Sequence, residues 1–313
     1  MDATTHAPEA PAGVTASPPR WPEAGRPLAL VAPAGAFEAR ALAEGLAVLE
    51  GLAPGLVLRA DPDILERDGY FAGQDQARAA HLESLLADPG VGLVMAVRGG
   101  FGCSRLLPLL DLPALAAAGG CLLGFSDLTC LLDTLASRGL MTLHGPMVTQ
   151  LPRLDQPSLE DLAALLAGRR PWPVTLQGRG QAGGRTRGPL LGGNLTLLCH
   201  LLGTPWFPPL GGAVLVIEDT NEAAYRLDRL LTQLELAGVL GQVAGLAVGW
   251  LGSGPDPDAG LSQGVTRRLL ASGLPLVTGL PIGHGSANRI LPLGAMAELD
   301  GQAGTLTVGL DLV

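Results

Sequence analysis

The chain has 313 residues, 47% of them hydrophobic, and a formal charge of −9. That charge, with no basic cluster anywhere, argues against nucleic acid and anionic membrane as partners, since both are bound through a basic face. Mean hydropathy is high at +0.34, yet glycine and proline interrupt each apolar run before it reaches the ~18 residues of a membrane-spanning helix.

Residues 1–25 are proline-rich and lack both the basic start and the apolar segment of a secretion signal. They read as a disordered tail, and the expected location is cytoplasmic. "PLALVAPAG" (27–35) reads as a buried strand, and "AFEARALAEGLAVLEGL" after it has helical periodicity. A second helix, "DQARAAHLESLLADPG", stops at Pro89-Gly90, and the strand "VGLVMAV" then runs into "RGGFG". "CLLGF" is a strand, "SDLTCLLDTLASRG" a helix, and "MTLHGPM" a strand with a loop. Such alternation implies a parallel sheet with helices on both faces.

After Gln150 the pattern loosens. One short helix lies in 151–173, and "LQGRGQAGGRTRG" reads as a glycine-rich, basic connector or hairpin. "GAVLVIED" is a strand, "EAAYRLDRLLTQLELAG" a helix, "QVAGLAVGWL" a strand and "GVTRRLLAS" a helix. "PLVTGLPIGHG" follows, then short strands with Asp-Gly turns. Two domains are expected, 26–150 and 188–313, joined by a linker over 151–187. Cys103, Cys121, Cys130 and Cys199 show no C-x-x-C spacing, so neither a disulfide nor a metal site is expected, and no cofactor is implied.

Ser126 stands where a strand turns into a helix, at the sheet edge where substrates bind. It is either the cap of that helix or a nucleophile, with the Asp127 N–H and the helix start facing an oxyanion. The G-x-S-x-G elbow is incomplete, because Thr129 follows Leu128 rather than a glycine. In "RGGFG" (Arg98–Gly102) the glycines let backbone N–H groups approach a ligand, or simply make a tight turn. Glu218 and Asp219 end a strand, and Glu218 could orient a histidine or be a buried structural carboxylate. Glu222 lies one helical turn before Arg226 and reads as a surface pair. Of five histidines, His6 lies in the tail and His81 and His200 in helices. His144 and His284 lie just past strands, on loops, and His284 sits between Gly283 and Gly285.

In order, "RGGFG", "GFSDLT", "LHGPM", "LLGGNLTLLCHLLGTPW", "VLVIEDTNEAAYRLDRLLTQLELAG" and "GHGSANRILPLGAMAELD" resemble the LD-carboxypeptidase family of serine peptidases. That family includes murein tetrapeptide carboxypeptidases and microcin C immunity peptidases, and the resemblance spans residues 27–310. It implies an α/β fold: an N-terminal parallel-sheet domain, flavodoxin- or glutamine-amidotransferase-like, and a smaller C-terminal α/β domain. It also implies a Ser126–His284–Glu218 triad, with the oxyanion held by the N–H groups of Gly100 and Asp127. Phe101 and Phe125 stand where the family often has tyrosine, keeping the ring but losing a hydroxyl. The implied reaction removes a terminal D-amino acid from a murein tetrapeptide during cell-wall recycling, and the implied state is a homodimer.

A carboxypeptidase must also grip a free carboxylate, for which Arg98, Arg105, Arg226 and Arg289 are the candidates. Arg226 and Arg229 could instead brace the helix and the domain interface. Cleavage of peptidyl- or aminoacyl-nucleotides is the alternative substrate class. It would need an aromatic wall, for which Trp172 and Trp206 are the loop candidates. A third reading is a non-catalytic ligand-binding protein, in which "RGGFG" and "LLGGN" cradle an anion and Ser126 is only a cap.

Overall fold

A computed structural model describes residues 16–252 and 262–312. In its first half β1 (Leu28–Val31), α1 (Ala39–Leu52), β2 (Leu58–Arg59), α2 (Asp75–Ala87), β3 (Leu93–Ala96), α3 (Leu112–Ala118), β4 (Leu122–Gly124), α4 (Thr129–Ala136) and β5 (Thr142–His144) follow in turn. Every residue of β1, β3, β4 and β5 is buried, as expected of parallel strands covered on both faces. The first sheet has the order β12–β5–β4–β3–β1–β2, with β12 being Leu291–Leu293. The order reverses between β1 and β3, so the crevice for a ligand opens past their carboxyl ends. There β3 runs into Arg98–Gly102, and the Gly35 N–H, beyond β1, donates to the Gly99 carbonyl at 3.1 Å.

Helix α5 (Gln156–Leu166) leads to the second sheet. That sheet is built from β6 (Val174–Gln177), β7 (Arg179–Ala182), β8 (Arg185–Asn194), β9 (Val214–Thr220), β10 (Gly245–Gly252), β11 (Leu276–Thr278), β13 (Met296–Asp300) and β14 (Thr305–Val308). Strands β8 to β11 run parallel at its centre, crossed over by α6 (Leu195–Leu201), α7 (Ala224–Leu236) and α8 (Gln263–Ala271). Antiparallel β6, β14 and β13 extend it on one side and β7 on the other. The protein is thus a two-domain α/β fold.

Three features differ from the sequence reading. Residues 1–15 lie outside the described residues, but 16–25 are not a tail. Ser17 forms a parallel bridge with Leu140, the Arg20 guanidinium donates to the carbonyls of Leu86, Asp88 and Ala118, and Trp21 packs on Trp172 at 5.1 Å. Residues 174–187 are no linker but strands of the second sheet. And β12, from the C-terminal region, pairs antiparallel with β5 in the first sheet. The loop from β11 to β12 therefore passes from one sheet to the other and carries His284 between them.

Helix α4, buried at every position, joins the two sheets. Its Asp133 Oδ1 accepts the Gly192 N–H of β8 at 2.9 Å, while Oδ2 has no partner. Burial pushes the Asp133 carboxyl up to about 8, against the weaker opposing pull of the Gly192 N–H. The folded state then holds a proton that the unfolded chain gives up near pH 4. This group's contribution to stability is complete below that pH and is lost as pH rises through about 8. Asp133→Asn keeps the acceptor without the charge. Urea unfolding at pH 5 and pH 8 is expected to show the variant gaining stability relative to wild type as pH rises. Parallel profiles would contradict it.

Candidate active site

Ser126 opens a 3-10 turn, Ser126–Leu128, between β4 and α4. Its φ of 61° lies in the left-handed region, which a side chain makes costly. The residue before it, Phe125, is extended, so the chain turns sharply at the serine and lifts Oγ off the sheet edge. Neither the turn nor α4 has a side-chain cap, so Ser126 does not act as a helix cap. The strand β3 delivers Gly99 directly against it. A Cβ on Gly99 would lie 3.1 Å from Ser126 Cβ and 3.2 Å from Oγ, which is why the approach needs glycine. Among the described residues the N–H groups of Gly100 and Asp127 have no hydrogen-bond partner.

His284 reaches the serine from the other sheet's loop. Its Nε2 is 3.1 Å from Ser126 Oγ, and its Nδ1 is 2.6 Å from Glu218 Oε2. Gly283 and Gly285 permit this: a Cβ at Gly283 would lie 2.7 Å from Glu218 Oε2, and one at Gly285 2.5 Å from the Trp250 ring. The loop is fixed by Gln150, whose Nε2 donates to the Gly283 carbonyl at 3.0 Å and whose Oε1 accepts from Asn288 Nδ2 at 3.0 Å. Asn288 Oδ1 in turn accepts the Gly283 N–H at 3.0 Å. Phe125, only 2% exposed, lies 4.7 Å from the imidazole centroid to centroid.

Glu218 is fully buried within β9, two residues before its end, beside Asn194 in the parallel register of β8 and β9. Asn194 Nδ2 donates to Glu218 Oε1 at 3.2 Å and to Asp219 Oδ1 at 3.0 Å, while its Oδ1 caps α6 through the Leu197 N–H. Burial works to raise the Glu218 pKa, but the charge and hydrogen bond of His284 outweigh it and hold the carboxylate below its ordinary range. For His284 burial disfavours the imidazolium, and Glu218 overcomes this, so the imidazole is raised above its ordinary value. A hydroxyl, an imidazole and a carboxylate in this chain can pass a proton from oxygen to ring nitrogen while the carboxylate steadies the resulting cation.

The remaining candidates fall elsewhere. Asp219 is held by Thr196 and Thr220, and burial together with the adjacent Glu218 raises its carboxyl. Glu222 pairs with Arg226 at 3.5 Å, and Arg226 and Arg229 flank the Tyr225 ring. Arg289 grips Asp161 with two bonds, at 2.6 and 2.9 Å, and Arg105 is bound to Asp75. Phe101 is 47% exposed and lies 5.6 Å from Phe71. His144 is not on a loop but ends β5, fully buried with both ring nitrogens unpartnered. Burial pushes it down to about 4, so it stays neutral at pH 7. Trp172 is buried with its Nε1 on the Ile290 carbonyl, so it offers no wall to a ligand, and Trp206 is partly buried against the core. Sequence reasoning missed Asn194, Gln150, Asn288 and Trp250. Only Asn194 carries a local signal, as an asparagine directly before a helix.

No helix among the described residues is long and apolar enough to cross a membrane. Nor do those residues include a cluster of His, Cys, Asp or Glu able to hold a metal ion. Residues 28–145 match the LD-carboxypeptidase N-terminal domain, and residues 187–299 match the LD-carboxypeptidase C-terminal domain. The murein tetrapeptide carboxypeptidase of Pseudomonas aeruginosa is 35% identical over 288 residues, 88% of this chain and 93% of that one. The crystal structure of muramoyltetrapeptide carboxypeptidase from Oxalobacter formigenes superposes with a TM-score of 0.78 at 31% identity, covering 90% of this chain and 98% of that one. The microcin C7 self-immunity protein of Escherichia coli, in complex with aspartyl sulfamoyl adenosine, shares the fold. Its TM-score is 0.80 at 21% identity, over 93% of this chain and 98% of that one. The chain belongs to the LD-carboxypeptidase family.

Proposed function

We propose that this protein is a serine carboxypeptidase that hydrolyses the amide between an L-configured centre and a terminal D-amino acid, converting murein tetrapeptide to tripeptide and D-alanine. The observation that carries the reading is the convergence of Ser126, His284 and Glu218 across two sheets, at 3.1 and 2.6 Å. His284 Nε2 takes the Ser126 proton as Oγ attacks the scissile carbonyl. The N–H groups of Gly100 and Asp127, otherwise unpartnered, hold the oxyanion. The imidazolium then protonates the leaving amine, and an ester remains on Ser126. Water, deprotonated by His284, hydrolyses that ester and restores the serine. Glu218 keeps the Nδ1–H tautomer throughout.

The four free cysteines fit a reducing compartment, so we place the reaction in the cytoplasm as a step of peptidoglycan recycling. Exposed Leu236 and Tyr225 on α7 give a homodimer an apolar face to use. Chromatographic assay of D-alanine release from murein tetrapeptide is expected to show one equivalent per tripeptide formed. Burial of Trp172 takes away one of the two tryptophans that a nucleotide-conjugate substrate could have stacked on. Hydrolysis of an aminoacyl sulfamoyl adenosine, with the tetrapeptide untouched, would reverse the assignment.

A further inference from the structure

The chain contains no lysine, so apart from its five histidines all 20 of its basic side chains are arginines. With His284 held by Glu218 and His144 buried and neutral, the charge that matches a substrate carboxylate falls to these arginines. Many are already committed to carboxylates of the protein, Arg105 and Arg289 among them. Arg153 is not: among the described residues its side chain has no ion pair and no hydrogen bond. Arg98 donates to the Ala36 carbonyl and likewise has no carboxylate partner.

Arg153 ends a 3-10 turn, Val148–Arg153, that is tied to both halves of the site. The Thr149 N–H donates to the Val97 carbonyl at 3.0 Å, at the end of β3. On the other side Gln150 holds Gly283, and the Asp155 N–H donates to the Ser286 carbonyl at 2.7 Å. Arg98 and Arg153 line one open cleft of about 440 Å³ with Phe37 and Thr149, a size ordinary for a small-molecule site. Two acids also line it, but Glu38 pairs with Arg67 at 2.6 Å and Glu44 with Arg40 at 2.8 Å. The cleft thus keeps two positive charges with no protein carboxylate to answer them. The charge on Arg153 also reaches His284, where it opposes the imidazolium.

The chemistry says where an anion must lie. His284 protonates the leaving nitrogen, and in a terminal amino acid the carboxylate is separated from that nitrogen by a single carbon. The anion therefore belongs on the His284 side of the serine, away from Gly100 and Asp127. We propose that Arg153, with Arg98 on the same cleft, clamps the terminal carboxylate of the peptide, an assignment that rests on the carboxypeptidase reading above. The clamp fixes specificity for a free C-terminus, since an amidated end leaves both guanidinium groups unmatched.

The test compares kcat/KM on a murein tetrapeptide and on the same peptide with its C-terminus amidated. Wild type is expected to favour the acid. Arg153→Ala is expected to lose about 10- to 100-fold on the acid, mainly through KM, and to change little on the amide, so the ratio collapses. Arg153→Lys, which keeps the charge but not the fork, should recover part of the ratio. Complete labelling of Ser126 by a fluorophosphonate, at a pH where His284 is neutral, would show that the variant is folded with its nucleophile intact. An unchanged acid-to-amide ratio in Arg153→Ala overturns the clamp while leaving the carboxypeptidase reading in place. A wild type that cleaves neither peptide overturns the carboxypeptidase reading, and the clamp with it.

Discussion

Ser126→Ala is expected to lower kcat for D-alanine release by about 10⁴- to 10⁶-fold while leaving the fold unchanged, as removal of a triad nucleophile does elsewhere. The reasoning starts from the backbone. Ser126 holds φ at 61°, a conformation that costs a residue with a Cβ about 1 kcal/mol or more. A helix cap has no need of such strain and sits in the extended region. Here the strain lifts Oγ to within 3.1 Å of His284 Nε2 and brings it against Gly99. Function and stability should therefore part company at this residue. Ser126→Gly, equally inactive, is expected to be more stable than Ser126→Ala by about 1 kcal/mol in urea unfolding, because glycine adopts positive φ without penalty. Intact-protein mass spectrometry after fluorophosphonate treatment should show one adduct on wild type and none on either variant. Turnover by Ser126→Ala above about 1% of wild type would place the nucleophile elsewhere.

The parallel halves of both sheets were legible because buried strands are continuous apolar runs and their helices carry a 3.6-residue period. Less legible was anything whose partner lies far off in sequence. Leu291–Leu293 is three residues long and pairs with Thr142–His144, about 150 positions earlier; nothing local distinguishes that partner from another strand. The stretch read as a basic connector looks polar because its strands are largely exposed, and Arg185 and Arg187 meet Asp300 and Glu298 across β8 and β13. Cross-strand pairs of that kind cannot be seen until the register is known. The same limit applies within the site. A serine on a strand-to-helix turn and a histidine between glycines stand out along the chain. The second bond of Asn194, to Glu218, exists only because β8 and β9 pair in parallel at those two positions. His144 misled for the opposite reason, since a histidine beside glycine and proline reads as a loop residue although its strand is wholly buried.

Glu218→Gln is expected to cost about 10³- to 10⁴-fold in kcat, nearly as much as the loss of His284, although no atom of the imidazole is touched. The Asn194 Nδ2 donor at 3.2 Å from Oε1 decides the outcome. A glutamine there must turn its carbonyl oxygen toward Asn194, which directs its NH₂ at His284 Nδ1. The Nδ1 atom becomes an acceptor, the ring proton moves to Nε2, and Nε2 can no longer take the proton of Ser126. The pH profile separates this from simple misfolding. In wild type the charge and hydrogen bond of Glu218 raise the His284 pKa against the effect of burial. The base works only when neutral, so kcat/KM should rise with pH on a limb placed above the ordinary histidine value of about 6.5. Without the carboxylate, burial acts unopposed by it and the limb should move to lower pH. Residual activity of the variant should accordingly be less sensitive to pH between 6 and 8. A limb that stayed in place would mean that Glu218 does not face the catalytic base. A second substitution, Asn194→Ala, tests the orienting step itself. Combined with Glu218→Gln it removes the donor that fixes the introduced amide, which is then free to flip, and in the double variant part of the lost kcat should return.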